Sequence, residues 1–125
     1  MKLRRRPEVL AVARLEATAP WPAWALEAPF AALTRTDEEL SLVVPLDRVP
    51  EGVRREGPWR AVQVEGPLDF ALVGILAELS GILARAGISC FALSTFDTDY
   101  LLVKSDRLEA ACEALGAAGH AILGA

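Results

Sequence analysis

Residues 72–104 read LVGILAELSGILARAGISCFALSTFDTDYLLVK, and the hydrophobic period changes part-way along this stretch. Apolar residues first recur at every third or fourth position, which predicts an amphipathic helix that ends near Gly87. Two apolar runs follow, at residues 88–94 and 100–104, and the polar residues 95–99 separate them. Short apolar runs around a polar turn are typical of a β-hairpin. The stretch therefore predicts a helix followed by a hairpin.

The chain on both sides of this stretch continues the pattern. Residues 59–65, WRAVQVE, alternate as a strand does. Asp106 and Glu109 resemble a capping box for a second helix that closes near Gly119, and residues 120–123 can supply a last strand. The order β-α-β-β-α-β predicts an α+β, ferredoxin-like domain, with two helices on one face of a four-stranded antiparallel sheet.

The first half of the chain contains an echo of the hairpin. Residues 30–44, FAALTRTDEELSLVV, align with residues 91–103 when Phe30 is placed on Phe91, an offset of 61 residues. Self-similarity at half the chain length predicts a duplication. Prolines between residues 18 and 29 exclude a helix as long as that of the second half. We therefore expect a tandem of two units, a truncated one at residues 1–60 and a complete one at residues 61–125.

The composition narrows the function classes. The chain has 125 residues, 53% hydrophobic and 24% charged, and a net charge of -4. This balance argues against a nucleic-acid partner, since nucleic-acid binding needs a basic face. The basic residues 2–6 are interpreted as a solvated tail or an exposed edge strand. No apolar run approaches the roughly 18 residues that cross a bilayer, so we expect a cytoplasmic protein without a membrane partner.

Catalytic and metal-binding patterns are weak. Cys90 and Cys112 lack the spacing of a metal or redox pair, so buried free thiols and no cofactor are expected. His120 is the single histidine and follows a helix end, where capping or packing is favoured. Asp97 and Asp99 could form a carboxylate pair, but aspartate and threonine are ordinary turn residues. We expect no enzyme, with a small hydrolase using these two acids as the remote alternative.

Several motifs resemble those of a known family. Residues 64–104, from VEGPLDF to DYLLVK, resemble an ACT domain, the amino-acid-binding regulatory module of many biosynthetic enzymes. The segments LTRTDEELSLVVP and STFDTDYLLV are similar to small stand-alone ACT proteins related to cytosolic arginine sensors and aspartate kinase regulatory domains. The resemblance covers about residue 8 to the end. It implies a tandem of ACT-like units that binds an amino acid at an interface between units.

The resemblance also implies a set of ligand-binding residues. Backbone N–H groups of the loop 66–74 and of the following helix start would receive the ligand carboxylate, as helix N-termini bind anions. Asp99, or else Asp69, would meet the ammonium group. In the usual family pattern an acid and a proline lead directly into the glycine, whereas here Asp69 precedes Gly74 by five residues. The implied ligand-binding residues are Gly66, Asp69, Gly74, Ile75, Thr95, Thr98 and Asp99.

The function that follows is regulatory. We expect a non-enzymatic protein that binds a small amino acid and acts through its own assembly, as a homodimer, or on a regulated protein partner. The alternative is a structural protein-interaction module without a ligand.

Overall fold

The computed structural model of the protein describes residues 1–65 and 73–124. The helices and strands, in chain order, are β1 (Lys2–Arg5), β2 (Leu10–Leu15), α1 (Ala23–Leu26), β3 (Ala32–Arg35), β4 (Leu40–Pro45), β5 (Arg54–Val64), α2 (Ile75–Arg85), β6 (Phe91–Ser94), β7 (Asp99–Lys104), α3 (Leu108–Ala117) and β8 (Ala121–Leu123). Short 3₁₀ turns follow β4 and β7, at Leu46–Arg48 and Ser105–Arg107. The chain forms two compact units, the inserted unit of residues 8–59 and the main unit of residues 1–7 and 60–125.

The main unit has the predicted β-α-β-β-α-β order and one additional strand. Its strands lie in the order β8-β1-β5-β7-β6. β1 pairs antiparallel with β5, through Leu3 and Val64, and parallel with β8, through Leu3 and Ile122. The ferredoxin-like α+β prediction is confirmed, with β1 inserted between two strands of the sheet.

The interpretation of residues 2–6 as a tail or an edge strand is wrong. Leu3 is fully buried in the core, and the chain on either side of it pairs with a neighbouring strand. The charged side chains find partners, since Arg4 pairs with Glu65 and Arg5 pairs with Glu109. Through these pairings residues 1–7 belong to the main unit. The predicted division into 1–60 and 61–125 had placed them in the truncated unit.

The core of the main unit lies between the sheet and α2 and α3. Leu101 and Val103 of β7 pack there with Leu79 and Leu83 of α2 and with α3. Side chains alternate along a strand, so Leu102 points to the opposite face of the sheet. Leu102 is fully buried as well. The apolar run of β7 is therefore buried on both faces of the sheet.

The inserted unit is a smaller version of the same arrangement. Its strands lie in the order β3-β4-β2-β5, with the first residues of β5 as the last strand. α1 has only four residues, against the eleven of α2, and Pro22 stands at its N-cap. A loop at residues 49–53 takes the place that α3 has after the matching turn of the main unit. Leu40, Leu42 and Val44 of β4 supply much of its core.

The two hairpins match in geometry. β3, β4 and the first 3₁₀ turn correspond to β6, β7 and the second 3₁₀ turn at a constant offset of 59 residues. In each turn a threonine N–H donates to the carbonyl three residues later, at 2.9 Å from Thr36 and 2.8 Å from Thr95. The offset of 61, which placed Phe30 on Phe91, is therefore wrong. Residue identities suggested it, whereas the strand pairing places Phe30 before β3.

Candidate ligand-binding site

The turn between β6 and β7 is built from two threonines. The Thr95 hydroxyl donates to the Thr98 carbonyl at 3.1 Å and accepts from the Thr98 N–H at 3.2 Å. The Thr98 hydroxyl donates to the carbonyl of Val64, the last residue of β5. Thr98 is only 4% exposed. This buried hydrogen bond joins the turn to the end of β5, from which the chain passes towards α2.

Asp99 follows this turn as the first residue of β7. It pairs across the hairpin with Ser94. Because strand side chains alternate, Asp99 shares the face of Leu101 and Val103, which is the face that α2 and α3 cover. Its side chain is half-buried, and no hydrogen bond or ion pair joins its carboxylate to residues 1–65 or 73–124. The carboxylate is therefore available to a cation on the helix side of the sheet.

The start of α2 supplies N–H groups. Gly74, at the N-cap, has the left-handed φ of 81°, and no side chain caps the helix there. The first helical bond runs from the Glu78 N–H to the Gly74 carbonyl at 2.8 Å. The N–H groups of Ile75 and the two residues after it therefore precede the helical ladder and can donate to an anion.

His120 holds the acidic side chain of this first turn. Its Nε2 lies 3.0 Å from the Glu78 carboxylate, and its Nδ1 lies 2.9 Å from the main-chain nitrogen of Met1. The imidazole is 6% exposed. Both ring nitrogens are engaged, which agrees with the packing role favoured from the sequence.

The structure brings together part of the predicted set. Thr98 contacts the end of β5. Asp99, the next residue, lies on the face of the sheet that α2 and α3 cover. The hydroxyl protons of Thr95 and Thr98 are already donated to main-chain carbonyls, so in this conformation these residues hold the turn. Gly66 and Asp69 lie outside the described residues. The sequence did not predict the role of the Val64 carbonyl, because every residue has a main-chain carbonyl and the residue type does not show which one accepts a hydrogen bond.

Both cysteines are free thiols, Cys112 buried and Cys90 only partly buried. Burial raises the pKa of the Cys112 thiol and of the Cys90 thiol, because a thiolate is poorly solvated there.

Among residues 1–65 and 73–124, no three His, Cys, Asp or Glu side chains are placed to hold a metal ion. No helix in that part of the chain is both long and apolar enough to span a membrane.

Comparison with known proteins identifies the family. The ACT domain family model matches residues 54–117, just over half of the chain. The chain belongs to the ACT domain family. A second model, of an N-terminal domain, matches residues 8–52 of this ACT protein, close to the inserted unit.

Relatives of the ACT protein in mammals are named as subunits of a cytosolic arginine sensor. Subunit 1 of the cytosolic arginine sensor for mTORC1 is 43% identical over 58 residues in both Homo sapiens and Bos taurus. The Mus musculus protein is 43% identical over 51 residues. The human match covers 46% of this chain and 18% of the sensor subunit. The chain therefore spans less than a fifth of the length of these relatives.

Solved structures extend the similarity over nearly the whole chain. A crystal structure of an Agobacterium tumefaciens protein is 41% identical, with a TM-score of 0.90, and the match covers 98% of this chain and 91% of that one. A Vibrio cholerae protein of unknown function, titled a possible transport protein, is 20% identical with a TM-score of 0.77, covering 93% and 88%. The aspartokinase alpha and beta subunits are 16% identical with a TM-score of 0.65, covering 94% and 97%. The last two show the shared fold.

Proposed function

We propose that this ACT protein is a non-enzymatic regulatory module whose main unit binds a small amino acid. One observation carries the proposal. Asp99 presents a carboxylate without a partner among the described residues, on the helix face of β7 and beside the end of β5 that leads to α2. The family and the arginine-sensor relatives support this assignment.

The chemistry of the site matches a zwitterion. The ligand ammonium would pair with Asp99, and its carboxylate would accept N–H groups at the start of α2. An opposite charge at ~4 Å is worth about 4 kcal/mol of gross Coulomb energy at intermediate dielectric, before desolvation is subtracted. Gly66 and Asp69 remain predicted ligand-binding residues outside the described part of the chain, and a second ACT unit would complete the site.

We further propose that the protein is a homodimer joined at β6. Among the described strands β6 pairs only with β7, and its exposed residues Ala92 and Ser94 carry no charge. The matching strand β3 is protected, because Arg35 donates to the Ala19 carbonyl at 2.7 Å and lies over the ring of Trp21. An edge without such protection pairs readily with another strand.

The regulatory output of this proposal is a change in the dimer or in a protein partner within the cytoplasm. The mammalian relatives are cytosolic sensors by name. We also propose that the inserted unit is a truncated ACT-like unit that arose by duplication, since its hairpin repeats the geometry of the second hairpin at a constant offset.

The direct test is a thermal-shift panel of the standard amino acids. A ligand at 100 times its Kd should stabilise the protein by about 2.7 kcal/mol. At least one amino acid should raise the melting temperature. If none does so at millimolar concentration, the binding proposal is wrong.

A second candidate is a structural interaction module without a ligand. The engaged hydroxyls of Thr95 and Thr98 favour it, because they leave fewer donors for a ligand. This candidate predicts a stable dimer in sedimentation velocity together with a flat thermal-shift panel.

A further inference from the structure

The inserted unit contains a cavity that the proposed main-unit site does not use. Its volume is about 600 Å³, which is within the range of small-molecule sites. It lies where the ladder of β2 and β4 ends, at the pair of Leu10 and Pro45, and the Leu46 N–H donates to the Val9 carbonyl there at 2.9 Å. The lining residues are Glu8, Val9, Pro29, Pro45, Leu46, Asp47 and Arg48.

Prolines and hydrogen bonds restrict the backbone around the cavity. Pro29 and Pro45 fix the backbone at two of its walls. The loop after the 3₁₀ turn is also fastened, because the Arg55 guanidinium donates to the Val53 carbonyl at 3.0 Å and to the Val49 carbonyl at 3.2 Å. The 3₁₀ turn that carries Asp47 and Arg48 is therefore anchored between a paired strand and a fastened loop.

The lining has both an apolar and a charged part. Val9, Pro29, Pro45 and Leu46 supply apolar wall, while Asp47 and Arg48 place opposite charges side by side at the turn. Glu8 adds a second carboxylate on the strand side. Apolar walls with a few charged groups are typical of sites for small amphipathic ligands.

From these features we infer that the cavity binds a small zwitterion with an apolar body, of the amino-acid or dipeptide type. Arg48 binds the carboxylate, Asp47 binds the ammonium, and the apolar walls pack against the body of the ligand. This site shares no residue with the one around Asp99, so either proposal can fail while the other stands.

The test uses the whole protein and defined probes. Leucine and the dipeptide Leu-Leu are titrated while amide signals are followed by NMR. The dipeptide should bind with a Kd of about 1 mM or tighter and shift the signals of Val9, Leu46, Asp47 and Arg48. Leu-Leu amide and N-acetyl-Leu-Leu, which lack one charge each, should bind about tenfold or more weakly. Leucine tests whether a single residue is enough.

Matched variants identify the charged partners. Arg48→Met should weaken binding of Leu-Leu about tenfold but leave binding of Leu-Leu amide unchanged. Asp47→Asn should likewise weaken binding of Leu-Leu about tenfold but leave binding of N-acetyl-Leu-Leu unchanged. Asp106→Asn and Arg107→Met alter the equivalent turn before α3 and should have no effect. Either no saturable binding of leucine or Leu-Leu, or shifts confined to other residues, would overturn the inference. Equal loss of dipeptide and amide binding in Arg48→Met would do so too.

Discussion

The hydrogen bond from Thr98 to Val64 makes a quantitative prediction. Thr98→Val keeps the shape of the side chain but removes the hydroxyl, so the Val64 carbonyl loses a donor in a buried setting. A buried acceptor left without its donor costs about 1–3 kcal/mol. The free energy of unfolding should fall by this amount, and Asp99 should lose its fixed position because the turn is no longer tied to β5.

Urea denaturation measures this loss. With a slope of about 2 kcal/mol per M, a loss of about 2 kcal/mol lowers the midpoint by about 1 M at an unchanged slope. Thr34→Val is the matched control, because Thr34 is exposed on β3 and the same substitution should change stability by less than ~0.5 kcal/mol. If Thr98→Val is as stable as Thr34→Val, the hydroxyl does not hold the turn and the reasoning is refuted.

Three further predictions concern other parts of the molecule. Arg55→Met should lower the free energy of unfolding by about 1–3 kcal/mol, since the carbonyls of Val49, Pro50 and Val53 lose their donor, and urea denaturation would show it. Because burial raises the pKa of Cys90 and Cys112, the stability that their protonated thiols contribute should be complete below about pH 8.5 and decline above it. The decline should be shallower in Cys112→Ala, and an identical pH profile would contradict the assignment. If the protein forms the homodimer proposed above, Ala92→Lys should convert it to monomer in sedimentation velocity without unfolding it, because lysine resists pairing at an open edge.

The sequence was sufficient where one pattern decided the structure. The 3.6-residue period before Gly87 predicts a helix and the two apolar runs around Asp97 predict a hairpin, and α2, β6 and β7 lie there. The prolines around α1 likewise leave only a short helix.

The sequence was insufficient where the structure of a segment depends on contacts with residues far away in the chain. The four basic residues around Leu3 predict a solvated segment. In the structure β1 pairs with β5 and β8, and two of its arginines form ion pairs with Glu65 and Glu109. The role of Thr98 depends on the carbonyl of Val64, and no pattern of side chains shows which main-chain acceptor a hydroxyl will meet.

The proposed function depends on the main unit binding an amino acid through Asp99. Titration calorimetry with the amino acid that gives the largest thermal shift tests it most directly, on the wild type, Asp99→Asn and Asp97→Asn. Loss of the charged hydrogen bond should weaken binding about 10–100-fold in Asp99→Asn. Asp97→Asn alters an exposed turn residue and should bind like the wild type. Wild-type affinity in Asp99→Asn would contradict the claim.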